Sequence, residues 1–278
     1  MKTVACAEVT ERVAETIKRA GVRIDDACMN ALQEDLPIET GAAKFALDVM
    51  INNALLAEKN ADPVCQDTGM AVVFVTIGQE VRVTGGSLTD AINEGVRRAY
   101  RDNFFRKSVL DPVTRINTGD NTPAVIHYDL VEGDSFDVKI MLKGFGSENM
   151  SRLYMLPPSK GLPGVKECVL RTVREAGGNP CPPVLLGVGL GGTMEKAALL
   201  SKHALFREIG SINPDPELDR LEKEWTEDLN RLGVGPQGFG GRLTCVATFI
   251  EKFPTHLAGL PVAVTVQCHA VRHGGFSL

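Results

Sequence analysis

A cysteine, an amide, a carboxylate and a hydroxyl follow one another in Asp62-Pro-Val-Cys-Gln-Asp-Thr-Gly-Met70. The proline disfavours helical geometry in the residue ahead of it, so any helix reaching Lys59 must stop here. Ala71-Val-Val-Phe-Val-Thr-Ile77, immediately after, is strand-like. The chain must therefore turn sharply from a helix into a buried strand with four polar side chains on the corner. Burying polar groups without partners is unfavourable, so the corner is expected to bind something. A turn with one incidental cysteine is the plainer alternative.

At 278 residues the chain can bury a full core, as one domain over 1–278 or as two subdomains, 1–158 and 159–278. A net charge of -5 without any Lys/Arg cluster argues against nucleic acid as a partner. No apolar stretch approaches the ~20 residues of a membrane span. The N-terminus meets charge too early for a secretory signal, so a soluble, cytoplasmic protein is expected. Seven dispersed cysteines, with no Cys-x-x-Cys, argue against a disulfide framework. A metal site would have to be assembled from distant loops.

The periodicity predicts an α+β (mixed α/β) fold: a helical N-terminal region, then a mixed β-sheet with flanking helices, in two lobes. Val9, Val13 and Ile17 recur at helical spacing within a helical region running from about 3 to 59 and broken at Gly21 and Pro37. Strands are expected over 72–84, interrupted at Gly78, and over 125–130 and 135–142, the last two paired around Glu132-Gly-Asp134. The polar segment 111–123 is long enough for a binding loop or a solvated connector, and Arg106, Arg115, Asn117, Thr118, Asn121 and Thr122 could reach a small polyanion. Further on come Lys143-Gly-Phe-Gly146, suited to offering N–H groups to an anion, a joint at Pro157–Gly164 and a helix over 164–176. Strand Val184–Leu190, Gly191-Gly-Thr193 and a helix N-terminus make another anion-site candidate. An acidic helix over 215–232 precedes a glycine-rich turn, 233–241, expected to be mobile. Strands over 243–249 and 261–268 close the chain.

Cysteines 6, 28, 168 and 245 are expected on packed faces. Cys65, Cys181 and Cys268 fall at element ends, with Cys181 set between prolines in Asn179-Pro-Cys-Pro-Pro183. Three thiolates can hold a [4Fe–4S] cluster with one iron left open, and packing alone would explain Cys268.

Cys65-Gln-Asp-Thr-Gly69, Arg115-x-Asn-Thr118 with Asn121-Thr-Pro123, Gly146-Ser-Glu-Asn149, Asn179-Pro-Cys-Pro-Pro183 and Gly189-x-Gly-Gly-Thr193 together resemble the class I fumarate hydratases. The resemblance covers nearly the whole chain and is to the alpha subunit of the two-subunit form, with the related L-tartrate dehydratase alpha subunit close behind. It implies a [4Fe–4S] cluster held by Cys65, Cys181 and Cys268. It also implies a pocket for a small dicarboxylate lined by Gln66, Asp67, Arg106, Gly146 and His256, with Asp67 and His256 the catalytic candidates. A beta subunit would supply the general base, in a hetero-oligomer with two copies of each chain. A non-catalytic cluster-binding or iron-sensing module is the alternative from another class.

Overall fold

The computed structural model describes residues 1–278. In order, the elements are β1 (Lys2–Ala5), α1 (Cys6–Val22), α2 (Asp26–Asp35), α3 (Gly41–Asn60), β2 (Met70–Gly78), β3 (Val81–Thr84), α4 (Leu88–Asp102), β4 (Val125–Val131), β5 (Phe136–Lys143) and α5 (Phe145–Glu148). They continue with β6 (Arg152–Leu156), α6 (Gly161–Ala176), β7 (Val184–Gly191), α7 (Met194–Ala204), α8 (Pro216–Asn230), β8 (Cys245–Phe253), β9 (Leu260–Gln267) and β10 (His273–Ser277). The fold is mixed α/β, as expected.

The chain forms two compact units, each discontinuous in sequence. The first comprises Met1–Ile24, Asn53–Phe145 and Arg272–Leu278; the second comprises Asp25–Asn52 and Gly146–Val271. The chain crosses between them after Ile24, Asn52, Phe145 and Val271, and 158/159 lies within the second unit. The proline- and glycine-rich stretch expected to be a joint lies inside the second unit, where it opens α6.

In the first unit a sheet of order β10-β5-β2-β4 is built around β2. β2 runs parallel to β4 and antiparallel to β5, so it separates the two strands expected to form a hairpin. A Cβ on Gly78 would stand 2.2 Å from the Gly133 carbonyl oxygen, so the turn at 133 is seated on the end of β2. One core joins β2 and β5 to the Val9-Val13-Ile17 stripe of α1 and to Ile92, Val96 and Tyr100 of α4. Gly95 lets these helices touch, because a Cβ there would come within 2.7 Å of Val13. β1, which the sequence pattern folds into the helical region, pairs in parallel with β3.

In the second unit the order is β6-β9-β7-β8, with β7 buried along its whole length. Alternation puts Leu186 and Val188 on the side of α6 and α8, in a core with Val169, Leu221 and Trp225. The opposite side carries Gly187 and Gly189. A Cβ at these positions would lie 1.9 Å from the Ser201 carbonyl oxygen and 2.0 Å from that of Ala197. Backbone of β7 and backbone of α7 are therefore in direct contact, which only glycine permits.

The glycine-rich turn before β8, expected to be mobile, is tied to its surroundings by hydrogen bonds. Gly240 N donates to Val234 O at 2.9 Å, Gln237 N donates to Pro182 O at 2.8 Å, and the Glu39 carboxylate accepts from Arg242 N and Leu243 N at 2.6 and 2.8 Å.

Candidate active site

In the first unit the corner after α3 is held by side chains that reach its backbone. Val64 N donates to Gly21 O at 3.1 Å and Asn53 Nδ2 donates to Val64 O at 2.9 Å, which fixes the approach to Cys65. Past Gln66, three successive carbonyls are engaged. Asp67 O accepts from Arg272 Nη1 at 2.5 Å, and Thr68 O from the Tyr100 hydroxyl at 2.7 Å. Gly69 O accepts from that same hydroxyl at 2.8 Å and from Asn121 Nδ2 at 3.2 Å. Thr68 Oγ1 donates to Arg106 O at 2.8 Å. Gly69 has φ 79°, and a Cβ there would meet Leu142 at 2.8 Å, so the corner needs glycine on both counts.

Asp67 is an orienting group. Its Oδ1 accepts from Gly69 N at 2.9 Å and its Oδ2 from Phe145 N at 2.8 Å. Cys65, Gln66 and Arg106 are exposed, and no carboxylate of the chain pairs with the Arg106 guanidinium. Asn121, at φ 63°, is buried and accepts from Ser108 N at 2.7 Å and Val109 N at 3.2 Å, so the long polar loop is pinned at its end. Burial raises the Asp120 carboxyl, but hydrogen bonds from Thr122 and Arg97 outweigh it and hold the group at about 2.

In the second unit β7 and β9 are antiparallel, with Leu185 opposite Gln267. Cys181, shortly before β7, and Cys268, just after β9, therefore stand at the same end of the sheet. The link is direct: His269 Nδ1 lies 2.9 Å from Cys181 O. To bond a carbonyl, that nitrogen must carry a proton. The Gln237 side-chain amide, in the glycine-rich turn, lies 3.4 Å from the same ring nitrogen, a proximity and not a second hydrogen bond to it. Gly146 is at this end too, since a Cβ on it would lie 3.6 Å from Asn179 O.

His256 is not at this end. It precedes β9, whereas Cys268 follows it, and the strand between them spans about 25 Å at ~3.3 Å per residue. There it lines an apolar cleft with Pro158, Leu162, Val165 and Leu190, and its Nδ1 accepts from Ala258 N at 3.2 Å. The Gly191-Gly-Thr193 turn is at that far end as well, with Gly192 O accepting from Thr255 Oγ1 at 2.9 Å. As an anion site it is compromised: the Thr193 hydroxyl donates to the Glu195 carboxylate at 2.5 Å, which already supplies negative charge to the first turn of α7.

The cysteines divide by access. Cys65 and Cys181 are exposed and Cys268 is half-buried, while Cys6, Cys28, Cys168 and Cys245 are buried. Cys245 starts β8 at the Cys181 end but turns inward, donating to Ala247 O at 3.3 Å, and burial pushes its thiol up to about 12. Burial likewise raises the Cys28 thiol, which donates to His269 O at 3.3 Å. No three His, Cys, Asp or Glu side chains meet closely enough to hold a single ion.

A sequence model described as fumarate hydratase (Fumerase) matches residues 10–277. The chain belongs to this fumarate hydratase family. Among curated proteins, the putative L(+)-tartrate dehydratase subunit alpha of Methanocaldococcus jannaschii is 39% identical over 272 residues, 95% of each chain. The L(+)-tartrate dehydratase subunit alpha of Escherichia coli UTI89 is 33% identical over 278 residues, 98% of this chain and 91% of that one. Membership of the family makes the chain a hydro-lyase type. No helix is long and apolar enough to cross a membrane.

Tyr100, Arg272, Gln237 and His269 were not legible as site residues. Tyr100 falls on an ordinary helix stripe, and Gln237 lies among glycines. His269 and Arg272 follow a strand with no motif around them. Only the abrupt polarity of His269-Ala-Val-Arg-His273 marks the last two.

Proposed function

We propose that this chain is the alpha subunit of an iron–sulfur hydro-lyase acting on a four-carbon dicarboxylate. The reaction would be reversible hydration of fumarate to L-malate, with dehydration of tartrate as the second reading. The family model supports the first and the names of the relatives support the second. The observation that carries the cofactor assignment is that the cysteines at the three element ends, Cys65, Cys181 and Cys268, are the ones left accessible. Their donor chemistry fits a [4Fe–4S] cluster, since thiolate is its usual ligand and the four buried thiols are kept from that role by burial. Single-ion geometry is not required, because each thiolate of a cluster binds a different iron. When bound, the cluster supplies one iron without a thiolate, a Lewis acid for the substrate hydroxyl.

The chain's own residues would bind and orient. Arg106 carries an exposed guanidinium able to grip a carboxylate through two parallel hydrogen bonds. Gln66, next to Cys65, offers an amide to the substrate's oxygens. Asp67 fixes the corner through both carboxylate oxygens and so presents Gln66 in one orientation. Gly146, without a side chain, leaves room beside Asn179. His256 of the same chain has no part at the Cys181–Cys268 end. Both Asp67 oxygens are engaged by backbone N–H groups and His256 lines another cleft, so we assign the base to a beta subunit, in an assembly with two copies of each chain. The relatives' names, as alpha subunits, support such a partner.

The test is anaerobic assay of the chain with and without its co-expressed beta partner, on L-malate, fumarate and L(+)-tartrate. Turnover of one of these only in the presence of the partner is expected. Turnover by the isolated chain would contradict the division of labour, and no turnover by the complex on any of the three would contradict the reaction class.

A further inference from the structure

Arg272 is 1% exposed, yet its side chain makes a single hydrogen bond, from Nη1 to the Asp67 carbonyl. Its Nε is buried without a hydrogen-bond partner. The guanidinium and the Asp67 carboxylate flank one backbone atom: a Cβ on Gly144 would lie 3.0 Å from Nη2 and 3.2 Å from Asp67 Oδ2. Burying a full charge is far more unfavourable than burying a neutral donor. Tyr100 and Asn121 show that neutral donors suffice for the two neighbouring carbonyls. The Asp67 carboxylate beside it is engaged by Gly69 N and Phe145 N and forms no ion pair with the guanidinium, so something beyond these contacts accounts for a cation at this position.

We infer that Arg272 is a positioning residue for the Cys65–Gln66–Asp67 corner, and that its buried positive charge offsets negative charge bound at Cys65. The inference rests on the cluster assignment above, since thiolate-ligated iron–sulfide is the anionic group it identifies. Through Nη1 the guanidinium fixes Asp67, whose carboxylate in turn fixes Gly69 and Phe145. Through its charge it favours the reduced, more negative state of a cluster held by the neighbouring thiolate.

The experiment compares wild type, Arg272→Gln, Arg272→Lys and Tyr100→Phe in the full chain with its beta partner, reconstituted anaerobically with iron and sulfide. The readouts are the midpoint potential and electron-paramagnetic resonance spectrum of the reduced cluster, and amide exchange of the peptide containing residues 65–70. Arg272→Gln is expected to lower the potential, decreasing the reduced-to-oxidised ratio at fixed poise by about tenfold. Arg272→Lys should restore the potential while leaving corner exchange faster than in wild type. Tyr100→Phe should speed exchange but leave the potential unchanged, because it removes a hydrogen bond and no charge. Potentials equal in wild type and Arg272→Gln, or equally displaced in the Gln and Lys variants, would overturn the inference. If Arg272→Gln does not fold, Arg272→Lys decides: faster corner exchange at wild-type potential supports the role, and unchanged exchange defeats it. If wild type binds no cluster, the cluster assignment has failed and the charge role with it. Exchange then judges the positioning role alone, which fails if neither Arg272 variant moves it.

Discussion

The two units secure their cysteines by opposite means. In the first, the backbone around Cys65 is irregular and is held by buried polar side chains, with Tyr100, Asn121 and Arg272 each reaching a carbonyl. In the second, support comes from regular strands packed so closely that α7 rests on the backbone of β7, and the cysteines sit where those strands begin and end. A corner fixed by side chains can be loosened one hydrogen bond at a time. A strand end fixed by backbone contact moves with its whole sheet. Substitutions in the second unit are therefore expected to act on stability first, and those in the first on the local geometry of the corner.

The largest expected effect is from Gly187→Ala. The new Cβ would meet the Ser201 carbonyl at 1.9 Å, so α7 must move off β7. A loss of about 3 kcal/mol is expected by chemical denaturation, at the upper end of overpacking effects. A loss near zero would mean that α7 is not fixed by this contact, and the contrast between the units would weaken. Tyr100→Phe is next. It removes the hydroxyl serving Thr68 O, while Gly69 O keeps its bond from Asn121, and leaving a buried carbonyl unsatisfied destabilises by about 1–3 kcal/mol. The effect should be concentrated in amide exchange of residues 65–70, and an evenly spread change would break the comparison.

The smallest effect concerns acid. Asp120 has a folded-state pKa of about 2, below its ordinary value, held there against burial by Thr122 and Arg97. A depressed carboxyl contributes stability above its unfolded pKa and loses it as pH falls from there through the folded value. Stability should therefore drop between about pH 4 and pH 2, by roughly 1 kcal/mol after solvent screening. Asp120→Asn should remove that portion of the pH dependence, and an unchanged acid profile in the variant would exclude Asp120 as its source.

The stripes and runs that bury one face were legible in the sequence, because their periods survive folding. Val9-Val13-Ile17 lies on the core face of α1, and Val184–Gly191 is a buried strand. The pairing of β4 with β2 was not, because turn residues at 132–134 read the same whether the strands beside them are partners or are separated by a third. β10 was missed because two of its five residues are glycines. Their value is spatial: a Cβ on Gly274 would come within 2.7 Å of Thr16, and one on Gly275 within 2.7 Å of Val138 O. At the site, Cys65, Cys181 and Cys268 stood out because they lie at element ends. His256 came from the resemblance alone, since a loop position says nothing about which end of a sheet the loop occupies. Arg272 shows another, since its role follows from burial rather than from any pattern in the chain.

The account stands most directly on iron and sulfide content after anaerobic reconstitution, measured for wild type and for Ser variants of Cys65, Cys181, Cys268 and Cys245. Wild type and Cys245→Ser are expected to bind a full [4Fe–4S] complement, and each of the other three variants to lose it. Full loading in Cys268→Ser, with loss in Cys245→Ser, would contradict the assignment of ligands.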